Sequence, residues 1–146
     1  MGEKEPSPAV FGAFDGMTSV IGVIVALLSA SPSSVVKAVI GLAVASAVGM
    51  AAGEYLGDPD RSLRNAAVMG GATLVGTLLP AIPFFLTSGH VAQVLGGLIA
   101  VGMCAVIAAY RSHFESTVRS WVETFSIFFA VVAAVLLASA LTGAGA

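Results

Sequence analysis

Five apolar stretches, each about as long as a helix that crosses a bilayer, follow one another with only short links between them. They run from Val10 to Ala30, Ser34 to Tyr55, Ala66 to Leu86, Val91 to Tyr110 and Val122 to Leu141. A hydrocarbon core of about 30 Å takes roughly 20 helical residues to cross, so each stretch is long enough to span. The links hold the turn formers: Ser31-Pro32-Ser33-Ser34, Gly57-Asp58-Pro59-Asp60 and Thr87-Ser88-Gly89-His90. Short links between long helices imply antiparallel neighbours in one bundle. The expectation is an all-α integral membrane protein, with a tail at residues 1–9, a five-helix transmembrane domain at 10–141 and a second tail at 142–146.

Composition supports the same conclusion. Of 146 residues, 58% are hydrophobic and 10% charged, too much apolar surface for a single small soluble domain to hide. The formal net charge of −2, without a basic patch, argues against nucleic acid as a partner. A signal peptide is the other reading of the first stretch. The segment before it carries two acids against one lysine, and Asp15 interrupts its apolar region, so a mature helix is expected.

Basic residues in short loops stay on the cytoplasmic side. With the N-terminus inside, Lys4, Arg61, Arg64, Arg111 and Arg119 are cytoplasmic and Lys37 alone is outside. Tyr55, Tyr110 and Trp121 then anchor helix ends at the inner interface, and the C-terminus lies on the opposite side.

Small residues four apart let helix backbones approach closely in lipid, and Gly12/Gly16 and Gly49/Gly53 are such pairs. Either pair fits a contact between protomers or one within the bundle. Cys104, the single cysteine, reads as packing.

Ionisable groups inside the spans are the informative residues, because a carboxylate at membrane depth costs at least a few kcal/mol unless it faces a cavity, a cation or a partner. Asp15 is one, with Thr18 and Ser19 on its face; Glu54 is the other, preceded at intervals of four by Met50 and Ser46. Both acids are expected at similar depth. Carboxylates with a thioether suit ferrous iron or manganese better than magnesium. Glu54, beside Tyr55, also fits a simple reach to the headgroups, and Met50 a gap-filling role.

These residues resemble a known family. Gly12-Ala-Phe-Asp-Gly-Met-Thr-Ser-Val-Ile-Gly-Val is similar to the Asp-Gly signature that opens the vacuolar iron transporter and nodulin-21-like family. Ser46-Ala-Val-Gly-Met-Ala-Ala-Gly-Glu-Tyr resembles its second-helix signature, and Leu78-Leu-Pro-Ala-Ile-Pro-Phe its third-helix segment with spaced prolines. The resemblance implies a homodimer of five-helix protomers that exports ferrous or manganous ions from the cytoplasm in exchange for protons. Asp15, Met50 and Glu54 line the path, with Thr18, Ser19 and Ser46 beside it. The ion is substrate, and no permanently bound cofactor is expected. The chain departs from the family's iron transporters at Leu42, where an acid is common, and in having only Gly57 to Asn65 where a glutamate-rich insert is common. Those departures suit the alternative, an accessory subunit packed against a hetero-partner in a larger membrane complex.

The other polar residues read as structure. Asp60 or Ser62 caps the third helix, Ser120 and Glu123 form a capping box for the fifth, and Glu115 pairs with Arg119. His90 and His113 are loop residues, and Pro80 and Pro83 end or kink the third helix. No phosphate loop and no nucleophile constellation points to an enzyme.

Overall fold

The computed structural model describes residues 7–142. Over these the chain forms α1 (Pro8–Ala26), α2 (Pro32–Gly57), α3 (Leu63–Leu86), α4 (Gly89–Arg111) and α5 (Thr117–Thr142). All five are long and apolar enough to cross a membrane, and the broad exposure of Val48, Leu98, Phe129 and Leu137 on their outer faces is compatible with a lipid surround. The five-helix architecture agrees with the sequence reading. α1 starts at Pro8 and α5 runs to Thr142, which shortens the expected tails at 1–9 and 142–146; residues 1–6 and 143–146 lie outside the described residues.

Helix ends differ from the hydropathic ones because capping chemistry sets them. Ser7, Ser31 and Ser62 each accept a backbone N–H of the following first turn. Proline follows directly at Pro8 and Pro32, where its missing N–H is not needed. At the α2–α3 link Asp58, rather than Asp60, organises the turn: its carboxylate accepts from Asp60 N (2.9 Å) and Ser62 N (3.0 Å), and Arg61 adopts a left-handed φ of 47°. α4 starts on Gly89, whose φ of 63° favours glycine. His90 therefore belongs to the first turn of α4, where its Nδ1 lies 3.1 Å from Gln93 Oε1. His113 lies in the α4–α5 link and is exposed.

α3 is the hub, packing most extensively on α1 and α2 and then on α4. Glycine makes this possible. A methyl group at Gly12 would overlap Met69 O, and one at Gly16 would overlap Thr73 O and stand 2.8 Å from Thr77 N. The reverse holds at Gly76, where a methyl would strike Ala13 O. Gly70 gives α2 the same access, with Ala47 O at 2.7 Å from the position a Cβ would take, and Gly96 brings α4 onto Pro80 O. The Gly12/Gly16 pair is thus an intramolecular seat for α3.

Thr73 and Thr77 are fully buried at these crossings, and each hydroxyl donates to the carbonyl four residues earlier, Met69 O and Thr73 O, at 2.9 Å. Their polarity is satisfied within α3, so the helix faces its neighbours without an unmet donor. Pro80 and Pro83 do not end the helix, which continues to Leu86; both are buried against the bundle. At one end of the bundle Val20, Ile24, Val35, Val39 and Phe84 form a core cluster. A second joins Met17, Ala100, Cys104 and Phe128, with the Cys104 thiol 4.0 Å from Met17 sulfur, as packing predicts.

The α4–α5 end is closed by ions, in pairs other than those the sequence suggests. Arg111 donates to Thr124 Oγ1 at 3.0 Å, to Glu115 at 3.2 Å and to Glu123 at 3.0 Å. Arg119 meets Glu123 at 2.6 Å, not Glu115. The expected capping box at Ser120 is absent because α5 begins a turn earlier, where Ser116 Oγ accepts Arg119 N at 3.2 Å. Glu123 is drawn instead to the two guanidinium groups, and Ser120 Oγ is buried without a hydrogen-bond partner.

Candidate functional site

Asp15 lies on α1 one residue before Gly16 and so rides on the helix that α3 holds most tightly. Its position is fixed from behind: Gly12 and Gly16 turn one side of α1 to α3, and Met17 and Val20, both fully buried, turn another to the core. Asp15 and Ser19 occupy a half-buried face between these and the exposed Phe11. Among the described residues the Asp15 carboxylate has no hydrogen bond and no ion pair; the ion pairs all involve Arg111 or Arg119 with Glu115 and Glu123.

Thr18 donates to Phe14 O (3.0 Å) and Asp15 O (3.1 Å). Its proton is committed to the helix, so only its oxygen lone pairs remain for a cation. Ser19 and Ser46 make no such bond among the described residues, and their hydroxyls are available.

On α2 the stripe Ser46, Met50, Glu54 is half-buried, beside Ala47 and Ala51, which contact Gly70 of α3. The opposite flank, Val44, Val48, Gly49, Gly53 and Leu56, is exposed. The Glu54 carboxylate has no partner among the described residues.

α3 serves as a ruler for depth. Gly16 of α1 is level with the turn between Thr73 and Thr77, while Ala47 and Ala51 of α2 bracket Gly70. Counting outward from these contacts separates Asp15 from Glu54 by about nine residues of α3, roughly 14 Å along the bundle, and from Met50 by about 8 Å. Ser46 is the member of the α2 stripe nearest Asp15 in level. The expected common depth of the two acids is not found, because Asp15 lies two turns inside the start of α1 whereas Glu54 lies in the last turn of α2. No group of three or more His, Cys, Asp or Glu able to hold a metal occurs among the described residues. The arrangement is a graded series of oxygen and sulfur donors along the bundle, spaced too widely within one protomer for a single coordination shell.

Arg111 was not distinguished in the sequence, although its position in the last turn of α4 and the acids at 115 and 123 were available signals. The choice among those acids depends on how α4 and α5 are rotated against each other, which only packing decides. Comparison with family models, with curated proteins and with solved structures finds no match for this chain.

Proposed function

We propose that this chain is a transporter of divalent transition ions, ferrous or manganous, which it moves out of the cytoplasm in exchange for protons as a member of the vacuolar iron transporter and nodulin-21-like family. The observation that carries the reading is Asp15, a half-buried carboxylate within a span that has no cationic or hydrogen-bonding partner among the described residues. Such a group is costly in lipid, and a hydrated path with a transient cation relieves the cost. Ser46, Met50 and Glu54, stepped along the neighbouring helix, supply successive ligands for an ion in passage, and a path needs weak multiple sites more than one tight one.

The homodimer belongs to the same proposal. Gly12 and Gly16 are occupied by α3, so of the two glycine pairs the one left open for close approach is Gly49 and Gly53 on α2, where a methyl group would meet nothing within 4 Å. Two protomers meeting there place a second set of donors near the first.

Sealed vesicles with a metal-sensitive dye inside test the reading. Reconstituted protein is expected to admit ferrous and manganous ions well above protein-free vesicles and to move protons the other way; flux equal to that of empty vesicles overturns it. Met50→Leu removes only the soft ligand, so its expected effect is a several-fold loss of preference for iron over magnesium with manganese flux largely kept. Unchanged selectivity in that variant removes Met50 from the path.

Orientation is proposed with the N-terminus and the α2–α3 and α4–α5 links in the cytoplasm. Cys104 is buried, which keeps background labelling low. A cysteine replacing exposed Ser88 is expected to react with an impermeant thiol reagent from outside, and one replacing exposed Asp60 only after the membrane is opened. The reverse pattern inverts the topology.

The accessory-subunit reading draws on the same exposed α2 face, which accepts a different membrane helix as readily as a second copy. Purification from its native membrane separates the two: a stable stoichiometric hetero-partner without flux after reconstitution favours the subunit.

A further inference from the structure

A cavity of about 830 Å³ opens between α1, α4 and α5 at the end of the bundle where α4 turns into α5; Asp15 is not in its lining. That size lies within the roughly 300–1,000 Å³ of pockets that enclose small organic ligands. Its walls change character with depth. Tyr110, Arg111 and Glu115 line it at the level of the helix ends, with Phe114 beside them, and Phe14, Ile107 and Ile127 line it one to three turns further in, where a polar side chain, Thr124, is held by Arg111. Polar groups at the membrane surface and apolar ones beneath follow the order of a lipid headgroup and its chain.

The polar end is electrically balanced. Arg111 is shared between Glu115 and Glu123, and Arg119 lies on Glu123, so two cations face two carboxylates. Among the described residues the cluster has no net charge with which to draw an anion or a cation. It does hold separated donors and acceptors. Among the described residues all the bonds of Arg111 leave from its two terminal nitrogens, so its Nε–H is uncommitted, and the Glu115 oxygens accept only from Arg111. A guanidinium N–H suits a phosphate oxygen, and a carboxylate with spare lone pairs suits a primary ammonium.

We propose that this cavity holds one phospholipid with a zwitterionic ethanolamine headgroup, its phosphate at Arg111, its ammonium at Glu115 and the upper part of one chain against Phe14, Ile107 and Ile127. The ammonium must donate N–H bonds to the carboxylate, which sets ethanolamine apart from choline. An anionic glycerol headgroup lacks the ammonium and adds a charge that the balanced cluster does not compensate. The proposal stands on the cavity and its charges and is independent of metal transport.

Native mass spectrometry of the detergent-purified protein, offered equal amounts of phosphatidylethanolamine, phosphatidylcholine and phosphatidylglycerol with identical chains, tests it. Wild type is expected to retain one ethanolamine lipid per protomer with about tenfold preference over either competitor. Glu115→Gln, at an exposed position, is expected to bring ethanolamine and choline lipids to parity. Ile127→Trp and, from the opposite wall, Val10→Trp fill the space and are expected to release the lipid; circular dichroism identifies which of them is folded. Retention of phosphatidylglycerol as strongly as of the ethanolamine lipid overturns the proposal. So does lipid retention in the folded tryptophan variants, or equal retention of a diacylglycerol that has no headgroup charge.

Discussion

Gly16→Leu is expected to abolish the folded protomer, while Gly53→Leu, a similar glycine in a similar motif, leaves it intact. The difference is the neighbour. At Gly16 even the first added carbon meets Thr73 O and the backbone nitrogen of Thr77, both parts of α3 that cannot swing aside as a side chain can. Overpacking of a core costs about 1–3 kcal/mol when side chains give way and more when backbone must move, against a total stability of about 5–15 kcal/mol for a typical domain. Prising α1 from α3 also strips partners from Gly12 and Gly76. At Gly53 there is nothing within 4 Å. Gel filtration and thermal unfolding in detergent separate the outcomes: aggregation or a large fall in Tm for Gly16→Leu, and a wild-type protomer with weakened self-association for Gly53→Leu. A Gly16→Leu protein that melts with wild type would show that α1 and α3 are not held by these contacts.

Asp15→Asn is the larger functional test, with metal flux expected to fall to the protein-free level while the fold is kept. The substitution preserves shape, and Asp15 has no partner among the described residues whose loss would weaken the bundle. On the proposed transport path, what changes is the charge that a divalent ion would meet. A carboxylate there exchanges a proton for a metal, which couples the two flows; an amide does neither. Flux measured with an imposed proton gradient, beside thermal unfolding of the same preparation, keeps a transport defect distinct from a folding one. Wild-type flux from a folded Asp15→Asn protein removes this residue from the path.

The spans were legible in the sequence because the length and apolarity that lipid demands are properties of a segment alone. Their ends were less so. α5 starts at Thr117 rather than Val122 because Ser116 captures its first turn and Arg119 and Glu123 pair within the helix, whereas a hydropathy pattern reports only the apolar segment. The glycine pairs were legible as places of close approach but not as to partner: Gly12 and Gly49 present the same pattern, and the threonines and glycines of α3 that distinguish them lie more than twenty residues from either in the chain or on another helix. The acids were recognised by type. Their relative levels were not, since these depend on where along α3 each neighbouring helix makes its crossing.

The position of α3 also bears on biogenesis. A chain leaves the ribosome from its N-terminus, and spans enter the bilayer in that order before they pack. The two helices that α3 grips most fully both precede it, so the tightest contacts in the molecule become available as soon as the third span is inserted. α4 then settles through Gly96 onto a surface already in place, and α5 is fastened last by Arg111 and its acids. The first two spans are therefore covered once the third arrives, and until then Asp15 stands in a helix without its α3 neighbour.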